Sequence, residues 1–104
     1  MIAGERTTAY INSLDMGNTE LLNQIEKEAL ETYVPIIRRE TQSFLKTLLA
    51  AQKPKVILEV GTAIGFSALL MAEYSPSDTR ITTIEKYEKR IPIAKENFRR
   101  AGRE

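Results

Sequence analysis

The sequence predicts an α/β fold of the doubly wound kind, in which parallel strands alternate with helices. A short run rich in β-branched residues, 56–60, is followed by a glycine-containing turn and then by an apolar stretch long enough for a helix. A second such run, residues 80–85, is followed by another stretch with helical spacing. Two strands joined through one helix should lie parallel, with a right-handed crossover.

Two helices are predicted at the start of the chain. A short one covers about residues 8–14 and ends near Gly17. Thr19 can cap the next, because its hydroxyl can accept a free backbone N–H of the first turn. That helix runs to about Thr32, with apolar residues at helical spacing.

A third helix is predicted from Pro35 to about Gln52. Proline fits the first helical position, where its missing N–H costs no hydrogen bond. The end comes before Lys53-Pro54, since the residue before a proline disfavours the helical region. The predicted apolar stripe is Ile37, Phe44, Leu45, Leu48 and Leu49, and the predicted solvent side is Arg38, Arg39, Gln42 and Lys46.

Residues 56–60 are almost continuously apolar, which predicts a strand buried on both faces. The turn at 61–65 leads into a helix over 66–74, and residues 75–78 form a loop before the second strand. The last helix covers about residues 88–101, with Pro92 in its first turn and Gly102 after its end.

Two strands are few for a parallel sheet, because both edges keep unpaired backbone groups. We therefore expect a helical segment at residues 1–54 and the first half of a ligand-binding domain at 55–104. The chain is expected to be a fragment, or to complete its sheet with another chain.

Composition excludes several classes of protein. The 104 residues include no cysteine and no histidine, so disulfides, thiolate chemistry and the commonest general base are excluded. No apolar run approaches the ~20 residues of a membrane span, and the first ten residues lack a secretory core. This composition fits the cytoplasm. Residues 86–104 hold seven basic and three acidic residues, which favours a solvated helix face over an RNA contact.

The candidate site is the junction of strand, turn and helix at residues 59–67, where doubly wound folds bind ligands. Gly61 lets the backbone pass close to a ligand, and the N–H groups at the helix start favour an anion, to which Ser67 can donate. Glu85, 24 residues after Gly61, can accept both hydroxyls of a ribose. Neither a phosphate-binding loop nor the dinucleotide glycine pattern is present. Taken singly, the glycines also fit a simple turn, and Glu85 a solvated acid.

A resemblance to a known family lies in the segment VILEVGTAIGFSA at residues 56–68. It resembles the first motif of class I S-adenosylmethionine methyltransferases, in the O-methyltransferase branch with catechol and caffeoyl-coenzyme A enzymes. Within that branch it is most similar to bacterial members that act on 5-hydroxyuridine in transfer RNA. Residues 81–85, followed by 94–98 and 101–102, resemble the next block. The resemblance implies a Rossmann-like methyltransferase fold, truncated to the amino-terminal helices and the first two parallel strands with their helices.

The resemblance also implies a role for each matching position. The turn backbone lies against the methionine part of S-adenosylmethionine, Ser67 bonds its carboxylate, and Glu59 lies near its amino group. Glu85 holds the ribose and Lys86 lies beside the adenine. The implied cofactor-binding residues are Pro35, Ile37, Glu59, Gly61, Thr62, Ala63, Phe66, Ser67, Glu85 and Lys86.

Members of this family continue well beyond this length. Their later part supplies the ligands of a divalent metal (Mg²⁺) and the catalytic base, so the resemblance implies no catalytic residue and no metal ligand in this chain. The implied function is the cofactor-binding half of an O-methyltransferase, inactive alone, whose hydroxyl acceptor can be a transfer RNA. A homodimer or another chain would cover the open sheet edge.

Other interpretations stay open. The chain can be a non-catalytic nucleoside-binding or interaction module that pairs its sheet edge with a partner, or one half of a split enzyme. A fragment of a nucleotide-binding oxidoreductase is disfavoured by the glycine spacing.

Overall fold

The computed structural model describes residues 4–13 and 17–103. The elements in these ranges are α1 (Glu5–Ser13), α2 (Glu20–Glu31), α3 (Arg39–Gln52), β1 (Val56–Val60), α4 (Phe66–Glu73), β2 (Arg80–Ile84), a 3₁₀ turn (Glu88–Arg90) and α5 (Ile91–Arg100). The strands pair in parallel, from Val56 opposite Arg80 to Val60 opposite Ile84. The predicted α/β architecture is confirmed. None of the helices in the described ranges is long and apolar enough to span a membrane.

The amino-terminal helices follow the predicted capping signals. The first begins at Glu5, earlier than predicted, and the predicted end at Leu14 lies outside the described residues. Thr19 caps α2 as expected, because its hydroxyl accepts the backbone N–H of Leu22 at 3.3 Å. Helix α2 buries Leu22, Ile25, Glu26 and Ala29 and contacts α4. After α2 the backbone reverses at Tyr33, which has a φ of 57°.

The prediction that Pro35 starts the third helix is wrong. Residues 34–38 lie outside any helix or strand, and α3 begins at Arg39. Val34 precedes a proline, which disfavours the helical region, and its N–H donates to the carbonyl of Ala29 at 2.9 Å. Ile36 and Ile37 pack against the core, so burial keeps this segment irregular.

The predicted faces of α3 are wrong in part. Leu49 is buried and Leu45 partly buried, but Phe44 is 67% exposed. Gln42, predicted on the solvent side, is only 1% exposed. The end at Gln52 is confirmed, and Lys53 takes a left-handed conformation there, with a φ of 44°.

The core lies between α2, α4 and the turn after β1. Its buried members are Leu22, Ile25, Ala29, Ile64, Phe66, Leu69 and Leu70. Side chains alternate between the two faces of a strand, and in both strands one set is exposed while the other is partly buried. Val60 is 81% exposed. The prediction that the first strand is buried on both faces is therefore wrong for the described residues.

Candidate functional site

The turn after β1 is tied to the end of β2. Gly61 has a φ of 96°, which glycine adopts without steric cost. Its N–H and that of Thr62 both donate to the carbonyl of Ile84, at 2.7 and 3.1 Å. The Gly65 N–H donates to the carbonyl of Thr62 at 2.8 Å, which closes the turn before α4 begins. The backbone of the turn is therefore held in one conformation.

Helix α5 supports the same turn from the other side. Gly65 has a φ of 90°, and a Cβ there would stand 2.8 Å from Cε1 of Phe98. The absence of a Cβ at Gly65 thus allows the ring of Phe98, in α5, to approach closely. Asn97 is 2% exposed, and its Nδ2 donates to the carbonyl of Ile64 at 2.7 Å. Sequence reasoning missed Asn97 as a support, although a lone amide on the inner face of a helix is the signal that could have found it.

Glu85 links the turn to the chain after β2. One carboxylate oxygen accepts the N–H of Ala63 at 2.7 Å, and the other accepts the N–H of Tyr87 at 2.8 Å. The N–H groups of Tyr87 and Ala63 lower the pKa of Glu85, since they bond its charged form. An ionised carboxylate has about four acceptor positions, so these bonds leave acceptor capacity for a ligand. Lys86, next in the chain, is exposed.

Glu59 lies at the centre of a group of hydroxyls. It is the register partner of Thr83, whose Oγ1 donates to Glu59 Oε1 at 2.7 Å. The hydroxyl of Ser67 donates to Glu59 Oε2, and Thr83 Oγ1 lies 2.6 Å from Oγ1 of Thr62. The sequence predicted that Ser67 donates to a bound anion; in the structure its hydroxyl donates to Glu59. Thr83 was missed, although strand alternation places it on the same face as Ile81, toward α4.

A cleft of about 200 Å³ separates the turn from the segment at residues 35–37. It is lined by Pro35, Ile36, Ile37, Gly61, Thr62, Ala63, Phe66 and Ser67. Seven of the ten predicted residues thus lie together, and Ile36 was not predicted. Glu59 is joined to the cleft lining through Ser67 and Glu85 through Ala63, whereas Lys86 is not among the residues that line the cleft.

The cleft has room for a ligand close to the backbone. No described atom lies within 4 Å of the position that a Cβ on Gly61 would take. The turn side of this space includes the hydroxyl-bearing residues Thr62 and Ser67, and the apolar side chains of residues 35–37 form the other side. The lining therefore fits an amphipathic small molecule. Within the described ranges, no group of three or more acidic, histidine or cysteine side chains could hold a metal ion. The divalent metal that the resemblance implies thus finds no fitting donor set here.

The model of the O-methyltransferase family matches residues 11–104. A catechol O-methyltransferase of Mycobacterium tuberculosis is 36% identical over 96 residues, which are 90% of this chain and 44% of that protein. The crystal structure of a proposed caffeoyl-CoA O-methyltransferase of Staphylococcus aureus has a TM-score of 0.83 and 33% identity, covering 94% of this chain and 46% of that one.

An O-methyltransferase of Bacillus cereus, solved in complex with S-adenosylhomocysteine, has a TM-score of 0.77 and 26% identity, covering 93% of this chain and 45% of that one. The chain spans less than half the length of each of these three relatives.

Proposed function

The chain belongs to the O-methyltransferase family, and on that premise we propose that it is the cofactor-binding half of an S-adenosylmethionine-dependent enzyme that methylates a hydroxyl group. The observation that carries the proposal is the cleft between the glycine turn and residues 35–37, with Glu59 and Glu85 each one hydrogen bond from its lining. The relative from Bacillus cereus, which binds S-adenosylhomocysteine, supports this choice of ligand.

The cofactor, when bound, supplies an electrophilic methyl group on a sulfonium. Gly61, Thr62 and Ala63 would pass their backbone along its methionine part, where a side chain on Gly61 would collide. The carboxylate of Glu59 would attract the ammonium group, and the first N–H groups of α4 would face the carboxylate. Ser67 would donate to the same carboxylate after exchanging its bond to Glu59 for one to the cofactor.

The remaining predicted residues would hold the other parts of the cofactor. Glu85 would accept from the ribose hydroxyls through its remaining acceptor positions. The N–H groups of Tyr87 and Ala63 lower its pKa because they bond its charged form. Lys86 would lie beside the adenine. The apolar lining of Pro35, Ile37 and Phe66 would exclude water from the methyl end.

We assign no catalytic residue to this chain, and we expect it to bind cofactor without transferring a methyl group. The base and any divalent metal would be supplied by residues other than the described ones. A transfer RNA is one candidate for the hydroxyl acceptor. Arg99 and Arg100 are paired with Glu96 and Glu28, so an RNA contact would depend on the other basic residues near the end of the chain.

We further propose that residues 1–54 form a cofactor lid with dimer helices, that 55–104 form the first half of the cofactor domain, and that the protein works in the cytoplasm. Leu30, Tyr33 and Phe44 are exposed apolar side chains that a second copy would cover. Sedimentation at micromolar concentration measures this dimer, and a monomeric profile would contradict it.

A non-catalytic module that completes its sheet with a partner chain is the second candidate. The observation that favours it is the apolar sheet face formed by Val56, Leu58, Val60 and Ile84, which is exposed in the described residues. Such a module should form a defined oligomer and need not bind the methyl donor.

Calorimetric titration of this chain with S-adenosylhomocysteine tests the proposal. Gly61→Leu would fill the cleft, and Gly17→Leu is its matched control. Gly17 has a φ of 87° against 96° at Gly61, and neither has a described atom within 4 Å of its Cβ position. Of these two glycines, Gly61 lines the cleft and Gly17 does not.

We expect saturable binding that Gly61→Leu weakens by about tenfold or more, equivalent to about 1.4 kcal/mol, and that Gly17→Leu leaves unchanged. Circular dichroism checks that each variant is folded. A folded wild-type chain without binding, or equal losses in the two variants, would contradict the proposal.

A further inference from the structure

Gln42 is a buried amide whose hydrogen bonds join three parts of the chain. Its Nε2 donates to the carbonyl of Ile37 at 2.9 Å and to Glu26 Oε2 at 3.0 Å. Its Oε1 accepts from Nδ2 of Asn18 at 3.0 Å. Burying an amide is costly unless its groups are bonded. The side chain therefore stays in one orientation, with its NH₂ toward residues 35–37.

Residues 35–37, which we call the wall segment, form one side of the cleft. Among the described residues, the bond from Gln42 is the one hydrogen bond that the backbone of the wall segment makes. The chain is fixed on both sides of it: the N–H of Val34 bonds Ala29, and the carbonyl of Arg38 accepts from the N–H of Gln42. Between these points, only Gln42 and apolar packing set the position of the wall.

We infer that Gln42 is a positioning residue for the cofactor cleft, which it acts on through the carbonyl of Ile37. This inference rests on the proposed function for the identity of the ligand. A wall held in place before binding spares the ligand the entropic cost of ordering it. Glu26 contributes by accepting from the same NH₂, and Arg39 bonds its other carboxylate oxygen at 3.2 Å.

An exchanged pair of residues separates this role from a general contribution to stability. Glu26→Gln combined with Gln42→Glu keeps an amide–carboxylate bond between the two positions, and position 42 can still accept from Asn18. A carboxylate cannot donate, so the bond to Ile37 is lost. Gln42→Leu removes every bond of this amide, and it serves as the second variant if the exchanged pair does not fold.

Two measurements report whether the wall segment keeps its position. The first is the affinity for S-adenosylhomocysteine of the folded protein. The second is the rate of tryptic cleavage after Arg38, an exposed residue directly after the wall segment. Leu49→Ala is the control, because it shortens a buried side chain of the same helix at a position that does not line the cleft. It should speed cleavage at all sites together through lower stability.

For the exchanged pair, we expect unfolding at a lower urea concentration, because the carbonyl of Ile37 loses its donor. Cleavage after Arg38 should be faster by about fivefold relative to other sites, which a general loss of stability would not produce, and the affinity should be lower by about fivefold. Unchanged affinity together with unchanged protection of Arg38 would overturn the inference. If the wild-type chain does not bind S-adenosylhomocysteine, the proposed function fails. The Arg38 readout then still decides whether Gln42 holds the wall.

Discussion

Among the described glycines, Gly65 is the one at which an added Cβ should reduce the stability of the fold most. A Cβ there would lie 2.8 Å from Cε1 and 3.1 Å from Cζ of Phe98, and the φ of 90° is unfavourable for any other residue. The left-handed backbone costs about 1–2 kcal/mol, and displacing a packed ring costs about 1–3 kcal/mol. Gly65→Ala should therefore lower the free energy of unfolding by about 2–5 kcal/mol.

Urea unfolding followed by circular dichroism measures this loss of stability. Two further variants separate the backbone contribution from the contribution of the clash with Phe98. Gly17→Ala has a similar φ of 87° with no described atom within 4 Å of its Cβ position, so it should cost only the backbone part. Phe98→Leu shortens the ring side chain, and in that background Gly65→Ala should cost about as much as Gly17→Ala does. The reasoning is refuted if Gly65→Ala costs no more than Gly17→Ala and its effect does not depend on Phe98.

Two other predictions concern the side chains that hold the turn. Asn97→Leu should lower the free energy of unfolding by about 1–3 kcal/mol, because it leaves the buried carbonyl of Ile64 without its donor; Asn23→Leu, at an exposed site, is the control, and equal losses would argue against it. Glu85→Gln should change the pH dependence of unfolding. Because the N–H groups of Tyr87 and Ala63 lower the pKa of Glu85 in the folded chain, its ionised form stabilises the fold above the ordinary glutamate pKa, and this contribution is lost as the pH falls through the lower folded value. The difference between wild type and Glu85→Gln should be constant near neutral pH and shrink below about pH 4.3, whereas a difference independent of pH would contradict the prediction.

Local signals in the sequence predicted most of the elements. The hydroxyl of Thr19 caps a helix because the bond it makes lies within three residues of it. The end of α3 before Lys53-Pro54 and the strands at 56–60 and 80–84 follow from steric preferences of the residues themselves. The turn at 61–65 and the placement of Glu85 after β2 depend on spacing along one βαβ unit. These features can be predicted without knowing which residues pack against them.

The failed predictions share a different cause. Pro35 is well suited to start a helix, yet packing of Ile36 and Ile37 on the core keeps the chain irregular until Arg39. Gln42 has a polar side chain of a type that is usually exposed. Its burial is favourable because Glu26, the Ile37 carbonyl and Asn18 bond its amide. Both outcomes depend on tertiary contacts, the first with the core and the second with Glu26, which is 16 residues from Gln42 along the chain.

The cleft combines the two kinds of feature. Most of the residues that line it were implied by the family resemblance, and the glycine turn after a parallel strand indicated Gly61 and Ser67 by itself. What holds them in place was not predicted: the carboxylate of Glu85 on Ala63, the amide of Asn97 on Ile64 and the amide of Gln42 on Ile37 are all bonds from side chains to the backbone of another element or loop. A backbone group in an irregular segment has no partner in a helix or strand ladder, and each of these side chains supplies the missing hydrogen bond. Variants at Gln42 and Asn97 should therefore alter the shape of the cleft, although neither residue lines it.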